Sequence, residues 1–443
     1  MNPAEVAEQV VSLVKQHAPG AEGRVGVSFG RENHTRFAVN EITTSGDVEL
    51  TRVAVTIAKG RRHATASLTR TEPEQLAELV KRASTMATLA PEDPEWMGVL
   101  GAQVYRAPKG AFDAATFALP SDVRADAAKK VIAAADAKGV LAAGFYMAKG
   151  ATSALATTAG LVAAHSSTEA SLTITARSTD GTGSGWSGVE RVAASEIDAA
   201  TLASVAVDKA VRSQKPLPLD PRPYKVVLDP ACVAELLAFF VESLDARRAD
   251  EGRSFFSKKG GGTRIGERLF APGITLKGDP YDPATPGSSY DSEGMAIEPV
   301  TFVDSGVLRA LPMSRFWARK KGLDARPRPS AVHLLGGEAK SVDQLISMVD
   351  RGLYVTRFWY TRWLDPQTMS ITGLTRDGVF LIEKGVIKGP VQNFRFNESP
   401  AAVLAKAKAW TQETFRVPAR GPVMRVPAIL ADDFRMTSVS VAV

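Results

Sequence analysis

Strand patterns that follow one another directly, with few helices between them, limit the possible folds of this sequence more than any other feature. In residues 170–178, apolar side chains alternate with threonine and arginine, which is typical of a strand that buries one face. Similar patterns recur over residues 24–57, 140–158 and 353–387. A parallel sheet would need a helix after almost every strand, so this order predicts an α+β fold. We expect mostly antiparallel strands in the N-terminal part and a larger, β-rich C-terminal domain.

Two segments rich in proline divide the chain into three predicted domains. A length of 443 residues exceeds what one compact core usually holds. Residues 90–120 begin with proline and acidic residues and carry little periodic pattern, as linkers do. Four prolines between positions 216 and 223 mark a second boundary. We predict an N-terminal α+β domain over residues 1–110, a middle α+β domain over residues 111–222 and a C-terminal β-rich domain over residues 223–443.

Local signals place several helices. The segment Thr71–Glu74 has the spacing of a capping box, with proline in the first turn, and predicts a helix that starts there. Ser121 and Asp198 precede two further periodic segments and are predicted N-caps. In the third domain, a strand over Tyr224–Leu228 leads into a helix from Pro230 to Leu244.

Composition restricts the compartment and the class of partner. Cys232 is the sole cysteine, which excludes an internal disulfide framework and fits a reducing compartment. Residues 1–20 form a charged amphipathic pattern that differs from a signal peptide, and no uncharged apolar run approaches eighteen residues. We therefore expect a cytoplasmic protein without a membrane partner. The net charge of +6 arises from 54 basic and 48 acidic residues, and the basic clusters lack the aromatic interleaving of a nucleic-acid surface.

Two glycine-rich segments are weak candidates for nucleotide binding. Gly183–Gly188 matches the dinucleotide fingerprint literally, but that motif must lead from a strand into a helix. The following residues, 189–193, have the pattern of a returning strand, so we predict a hairpin. Gly260–Gly262 lacks the lysine and hydroxyl residue that complete a phosphate loop.

Three polar side chains could carry chemistry, and each has a structural alternative. Cys232 lies near the start of a helix, where a thiolate is favoured, but a lone cysteine on an apolar helix is more often packed. Asp291 and Glu293 lie in a loop, where two carboxylates could bind a cation or act as acid and base. The alternative is a turn held by side-chain hydrogen bonds.

The segment Tyr354–Trp363 is the densest aromatic stretch of the chain. Aromatic residues on both faces of a strand suit a buried strand or an interface, and arginines among them could bind a carboxylate. The segment is predicted as part of one strand, with Arg357, Trp359 and Thr361 on one face and Phe358, Tyr360 and Arg362 on the other.

The five histidines exclude one well-known kind of metal site. A helical zinc site needs two imidazoles on one helix face and a carboxylate that acts on the bound water. None of the histidines is followed by glutamate, and no two lie about one helical turn apart: His17, His34, His63, His165 and His333.

Motifs in a fixed order connect the third domain to a known family. The strand 226–228 leads into a helix that carries Leu236-Leu237, and the loop Tyr290–Gly294 contains an Asp-x-Glu-Gly motif. Three short segments follow in order: Gly352–Val355, Ser370–Gly373 and Phe380–Gly385. In this order and spacing the chain resembles the TldD/PmbA (TldD/TldE) family of metalloproteases over nearly its whole length.

The resemblance locates the family's zinc site on this sequence. In the catalytic subunits, the helix after the strand carries His-Glu-x-x-x-His, and a cysteine near the C-terminus completes the ligands. The two histidine positions fall near Ala238 and Ser243, and the glutamate falls near Phe239. Residues 422–443 contain no cysteine. The chain is therefore identified as similar to the zinc-free PmbA/TldE branch, whose members pair with a TldD-type catalytic chain.

This resemblance implies a function as well as a fold. We expect no cofactor in this chain and no activity alone, because the TldD-type partner supplies zinc and hydrolysis. Family members form dimers, act in proteolysis and also carry the older label of modulator of DNA gyrase. This chain would help to hold an extended or unfolded peptide by strand addition to a sheet edge. The residues expected to contact the peptide or the partner are Asp291, Glu293, Arg357, Trp359, Tyr360 and Arg362.

Two alternative functions remain open at this point. One is a stand-alone hydrolase whose site is built on Asp291, Glu293 and His333. The other is a regulatory binding protein without a role in peptidase activity.

Overall fold

A six-stranded antiparallel sheet of long strands forms the N-terminal half of the structure, a computed structural model that describes residues 2–440. In space the strands follow the order β3-β2-β1-β4-β5-β6. All neighbours are consecutive in the sequence except β1 and β4, and the helical segment after β3 leads the chain back to β4. The strands are β1 (Glu22–Ala38), β2 (Glu41–Lys59), β3 (Arg62–Leu68), β4 (Val140–Thr157), β5 (Val162–Ser178) and β6 (Ser184–Arg191).

Helices cover one face of this sheet. Alternate residues of the strands, such as Val25 and Val27 of β1 and Leu172 and Ile174 of β5, are buried beneath them. The residues on the opposite face, such as Ser28, remain turned away from these helices. The helices are α1 (Pro3–His17), α2 (Pro73–Leu89), α3 (Ala114–Phe117), α4 (Ser121–Asp136) and α5 (Ala199–Arg212), with a 3₁₀ turn at Ala194–Glu196.

The helix boundaries correct two predicted caps. Glu72, not Thr71, is the N-cap of α2, and no side chain caps that helix. Pro120 is the N-cap of α4, so Ser121 is its first helical residue. In both cases the fixed φ of a proline at or beside the first turn starts the helix without a side-chain cap. The prediction for Asp198 is confirmed, because its carboxylate accepts hydrogen bonds from the backbone N–H groups at the start of α5.

Strands from both of the first two predicted domains belong to this one sheet, since β1–β3 precede residue 110 and β4–β6 follow it. The helices lie over two separate apolar clusters, one under α1 and α2 and the other under α4 and α5. The division at residue 110 stays a prediction.

Two further sheets form the C-terminal half. One has the order β10-β9-β8-β11-β20-β19, and the other runs β13-β14-β17-β21-β7-β12-β15-β16, with β18 paired to β21. The strands are β7 (Pro223–Leu228), β8 (Leu276–Gly278), β9 (Val300–Asp304), β10 (Val307–Leu308), β11 (Ala331–Leu334), β12 (Arg351–Val355), β13 (Phe358–Asp365), β14 (Ser370–Thr375), β15 (Val379–Glu383), β16 (Val386–Pro390), β17 (Asn393–Glu398), β18 (Ala407–Trp410), β19 (Phe415–Arg416), β20 (Val423–Val426) and β21 (Ile429–Ser440).

A helix that is apolar on almost every side lies at the centre of this half. Eleven of the fourteen residues of α6 (Pro230–Ser243) are buried, and one apolar cluster joins it to strands of both C-terminal sheets. Because strands dominate and most pairs are antiparallel, the predicted α+β class with a β-rich C-terminal part is confirmed. The other helices are α7 (Ala246–Asp250), α8 (Arg315–Lys321), α9 (Val342–Ser347) and α10 (Pro400–Ala405).

Ion pairs and hydrogen bonds connect the two halves. Arg247 of α7 makes a bidentate contact with Glu95 of the linker, with N–O distances of 2.7 and 2.8 Å. Arg315 donates to the carbonyl oxygens of Met97 and Gly98 in the same linker. These contacts seat the linker against the C-terminal half. None of the helices in residues 2–440 is long and apolar enough to cross a membrane.

Candidate functional site

The helix at the centre of the C-terminal half, α6, is the one to which the family resemblance assigns the zinc site. Asp229 is the N-cap of α6, where its carboxylate accepts the N–H of Ala231, and Pro230 occupies the first helical position. The next turn buries Cys232, whose Sγ lies 3.4 Å from the carbonyl oxygen of Val355. Burial raises the pKa of the Cys232 thiol well above its usual value. The interpretation of this residue as a packed thiol is confirmed, and it is not an activated nucleophile.

The three positions assigned to the zinc site carry no donor set for a metal. Ala238 and Phe239 offer no ligand atom, and the Ser243 hydroxyl donates to the carbonyl oxygen of Phe239 at 2.9 Å. The Phe239 ring is enclosed by Trp363, which meets it edge-on at 5.0 Å, and by the Arg420 guanidinium, 4.6 Å above the ring. The chemistry of these residues does not fit zinc, which requires nitrogen, sulfur or carboxylate ligands. Within residues 2–440, no cluster of three or more histidine, cysteine or acidic side chains could hold a metal ion.

A groove remains beside this part of α6. It has a volume of about 340 Å³ and is lined by Ala238 and Glu242 of the helix together with Arg328 and Arg420. Both arginines already have acidic partners, because Arg328 lies 2.8 Å from Asp245 and Arg420 lies near Glu235. The groove is therefore close to charge-balanced and contains no histidine.

The loop that carries Asp291 and Glu293 is a turn held by its own hydrogen bonds. The Asp291 carboxylate accepts the backbone N–H groups of Glu293 and Met295, each at 2.9 Å. Burial raises the pKa of Asp291 above its usual value. Glu293 pairs with Arg315 at 2.9 Å, the arginine that also binds the linker. These contacts connect the loop to the linker between the two halves.

The three residues of the alternative stand-alone site each have other partners. His333 lies 3.1 Å from the Thr414 hydroxyl and 3.6 Å from the carboxylate of Asp282. No hydrogen bond or ion pair among the described residues joins His333 to Asp291 or Glu293. Burial and the nearby Arg425 lower the pKa of His333, so its imidazole is neutral at pH 7.

The aromatic segment differs from its prediction as a single strand. β12 ends at Val355, and β13 begins at Phe358 after a break. Tyr360 adopts a left-handed φ of 57°, and the pairing with β14 is irregular between Trp359 and Arg362. The predicted alternation of faces is therefore wrong, because a bulge at Tyr360 shifts the register by one residue.

The bulge turns two aromatic rings toward the surface of an edge strand. β13 is the end strand of its sheet, so its outer backbone edge lacks a neighbouring strand among residues 2–440. Trp359 is 41% exposed and Tyr360 is 63% exposed, and Leu364 on the same strand is also exposed. The Arg362 guanidinium lies 3.8 Å from the centre of the Tyr360 ring. An exposed edge with aromatic side chains is a surface on which another strand can pair.

Arg357 belongs to a different environment, at the junction of the two halves. Its Nη1 lies 2.6 Å from the fully buried carboxylate of Asp377. Its guanidinium lies between two rings, 4.6 Å from the centre of Trp186 on β6 and 5.2 Å from that of Trp359. The Ser184 hydroxyl of β6 donates to the same Asp377 carboxylate. Arg357 thus connects β6 to the start of β13. Trp359, Tyr360 and Arg362 lie on the neighbouring surface.

Two cavities lie at a cleft between the two halves, which the sequence did not predict. One cavity, of about 470 Å³, lies over the helix-free face of the N-terminal sheet, with Gly30, Ala151 and Ser167 on its floor. A second cavity of about 480 Å³ adjoins it near the ends of β6 and β19. The two cavities share Arg416. Each of them is lined by residues from both halves.

Charged groups across this cleft are partly buried. Arg416 Nε and Nη2 lie 2.8 and 2.7 Å from Glu190 Oε1, and Lys149 lies 2.8 Å from Glu169. Burial raises the pKa of Glu190, the negative charge of Glu169 acts in the same direction, and Arg416 opposes both. Glu190 and Arg416 are 226 positions apart, and no local pattern marks either of them. The one available signal was that Glu190 and Arg191 end a strand that follows a glycine-rich hairpin.

Two parts of the chain match domains of one protein family. Residues 221–438 match the PmbA/TldA metallopeptidase C-terminal domain, and residues 24–87 match the PmbA/TldA metallopeptidase domain 1. Together the two matches cover more than half of the chain. A relative named metalloprotease, from Methanothermobacter thermautotrophicus, is 29% identical over an alignment of 266 residues that covers 53% of this chain. The matched region spans only 56% of that relative's length.

Solved structures share the fold over nearly the full length. TldE from Thermococcus kodakarensis has a TM-score of 0.87 at 18% identity and covers 97% of this chain and 99% of its own. A proposed modulator of a DNA gyrase from Thermotoga maritima has a TM-score of 0.84 at 18% identity, with the same two coverages. A second proposed modulator of DNA gyrase, from Bacteroides thetaiotaomicron, has a TM-score of 0.84 at 17% identity and covers 98% of each chain. At these identities the likeness establishes the fold.

Proposed function

This chain belongs to the PmbA/TldD metallopeptidase family, and we propose that it is the non-catalytic subunit of a TldD/TldE-type heteromeric metallopeptidase. In this role it helps to hold an extended peptide while a zinc-bearing TldD-type partner hydrolyses it. The relative named metalloprotease and the structural likeness to a TldE protein are consistent with this assignment.

The observation that carries the proposal is the set of side chains that α6 has at the positions of the family's zinc site. The resemblance assigns metal ligation and catalysis to positions near Ala238, Phe239 and Ser243, and none of these side chains can perform either task. Phe239 is also enclosed by Trp363 and Arg420, so the space near the helix is filled by packed rings and a cation. A hydrolytic subunit would need an open metal position at this point, and a supporting subunit does not.

The cleft between the two halves supports the holding role. Its floor is formed by directly paired small residues, because Gly30 lies opposite Ala151, and Ala151 lies opposite Ser167. Small side chains leave room for another backbone above a sheet face. Charged side chains on the cleft walls supply hydrogen-bond donors and acceptors for a peptide main chain.

The outer edge of β13 supports the association with a second chain. Trp359, Tyr360 and Leu364 present apolar area next to unpaired backbone groups, and aromatic residues are enriched in protein interfaces. Arg362, stacked on Tyr360, adds a cation at the same edge. The proposal also includes contact of Asp291 and Glu293 with the partner chain. The hydrogen bonds within their loop favour a structural role for these two residues.

Metal content and peptide hydrolysis test the assignment directly. The purified chain, the TldD-type protein from the same organism and an equimolar mixture are each assayed with unstructured peptides and by elemental analysis. We expect hydrolysis only in the mixture, one zinc per pair there, and no zinc in this chain alone. A mixture with chelator-treated partner is the control, since it retains both chains and lacks the metal.

Hydrolysis by this chain alone, with stoichiometric bound metal, would overturn the proposal. Failure to form a complex with the TldD-type protein, together with no effect on its activity, would favour the regulatory binding protein instead.

A further inference from the structure

Two sheet edges meet at the second cavity of the cleft. β6 is the last strand of the N-terminal sheet, and β19 is the last strand of a C-terminal sheet. Arg191 at the end of β6 reaches toward β19, where its Nη1 donates to the carbonyl oxygen of Arg416 at 3.4 Å. The cavity of about 480 Å³ opens at this meeting point.

Three arginines gather around this cavity. Arg416 of β19 and Arg425 of β20 are direct partners across an antiparallel pair, and Arg191 lies beside them. Like charges placed opposite each other on neighbouring strands destabilise a sheet unless anions compensate for them. The arrangement therefore raises the question of which anions neutralise these guanidinium groups.

The protein's own carboxylates compensate for only part of this charge. Glu190 is occupied by Arg416, which contacts it through two nitrogens. Glu196 lies 3.7 Å from Arg191, and its side chain is mostly exposed, so this pair is weak. Arg425 has no carboxylate partner among the described residues, and its Nη2 donates to the carbonyl oxygen of Thr414 at 3.0 Å. One guanidinium at the cavity thus lacks an anionic partner.

The crowding of cations affects the titration of the third arginine. Burial lowers the pKa of Arg191, and the charges of Arg416 and Arg425 act in the same direction against the opposing effect of Glu196. An anion between Arg191 and Arg425 would relieve this repulsion, and arginine binds carboxylates in a bidentate, charge-assisted geometry.

We propose that this cavity is a carboxylate-binding site, in which Arg425 and Arg191 hold a carboxylate of a peptide that lies along the cleft. The inference rests on the proposed function, since it assigns one end of the held peptide to a particular pocket. The neighbouring cavity shares Arg416 and has the small residues Gly30, Ala151 and Ser167 in its lining, so the proposal places the chain attached to that carboxylate there. The carboxylate is either the peptide's C-terminus or an acidic side chain.

Peptide binding to this chain alone, without partner or zinc, tests the site. An N-terminally labelled unstructured peptide is titrated by fluorescence anisotropy as the free acid, as the C-terminal amide, and as an amide with one internal glutamate. We expect the amide to bind roughly tenfold more weakly than the acid, the usual effect of losing a charge-assisted hydrogen bond. Arg425→Gln should reduce this ratio to near one. Arg309→Gln, which removes an exposed arginine paired with Asp304 outside the cleft, is the matched control and should keep the ratio.

Each outcome decides the proposal. Recovery of affinity by the internal glutamate, dependent on Arg425, would support the site with an acidic side chain as its ligand. Equal affinities of all three peptides, no binding of any of them, or the same differences in affinity in Arg425→Gln would overturn it. Competition by inorganic phosphate without discrimination between the peptides would also overturn it, in favour of a phosphate site. Hydrolysis in the presence of the partner is measured separately. If hydrolysis persists while the peptides bind with equal affinity, this inference is refuted and the proposed function is not.

Discussion

Replacement of Asp377 by asparagine should loosen the junction between the two halves of the molecule. The Asp377 carboxylate is fully buried, 2.6 Å from Arg357 Nη1, and it also accepts the hydroxyl of Ser184 from β6. Asparagine retains the shape of aspartate and tolerates the left-handed φ of 57° at this position, so the change removes charge with little backbone strain. The effect therefore isolates the negative charge of Asp377, which also lies 3.8 Å from Arg376 Nε.

The expected magnitude follows from burial. Removal of one partner from a buried ion pair costs about 3–5 kcal/mol, because it leaves the other charge without compensation. The Arg357 side chain is 21% exposed, so water recovers part of this loss. We expect a decrease of about 2–3 kcal/mol in the free energy of unfolding. Asp304→Asn breaks a pair whose side chains are about half exposed and should cost less than about 1 kcal/mol.

Urea unfolding followed by tryptophan fluorescence measures both effects. Trp186 and Trp359 stack on Arg357, so their emission reports directly on the junction. We expect Asp377→Asn to unfold at a clearly lower urea concentration than Asp304→Asn, with an early change in emission. If the two variants unfold at the same concentration as the unsubstituted chain, the buried pair contributes no net stability and the argument from burial is refuted.

Three further predictions concern the edge strand, the cleft and the sheet. Replacement of Trp359 and Tyr360 by alanine should weaken binding of the TldD-type partner at least about tenfold by calorimetry, whereas Val386→Ala on the opposite edge strand should not. Burial lowers the pKa of His165 in the cleft, so the unfolded chain binds more protons and stability should fall as pH falls below about 6.5. His165→Gln should reduce that slope in unfolding experiments at pH 5.5–7.5. Gly150→Ala would place a methyl group 2.7 Å from the Phe117 ring and should cost about 1–3 kcal/mol in urea unfolding, whereas Gly389→Ala meets no atom within 4 Å and should be nearly neutral.

Local sequence patterns predicted the correct helix or strand where a single periodicity determines the structure. The predicted helix from Pro230 to Leu244 agrees with α6 to within a residue, because helix starts and apolar spacing act locally. The same reasoning failed for the segment 353–363. The strand pattern runs across the break after Val355 and the left-handed backbone at Tyr360, and between these two points Arg357 packs against Trp186 of β6. Nothing within the segment encodes that contact.

The cleft could not be predicted from the sequence either, because its chemistry depends on contacts between distant residues. Glu190 and Arg416 each look like an ordinary surface charge in the sequence, and only the approach of two distant sheet edges makes them a buried pair. Once that pair has formed, Glu190 is committed to Arg416, and Arg425 on the adjacent strand has no carboxylate partner within residues 2–440. A chain selected only for stability would be expected to replace such an arginine by an uncharged residue, because the opposed cations repel. Its hydrogen bond to the Thr414 carbonyl oxygen does not neutralise its charge, so an anion that arrives with the substrate explains its presence beside the cavity better than that bond does.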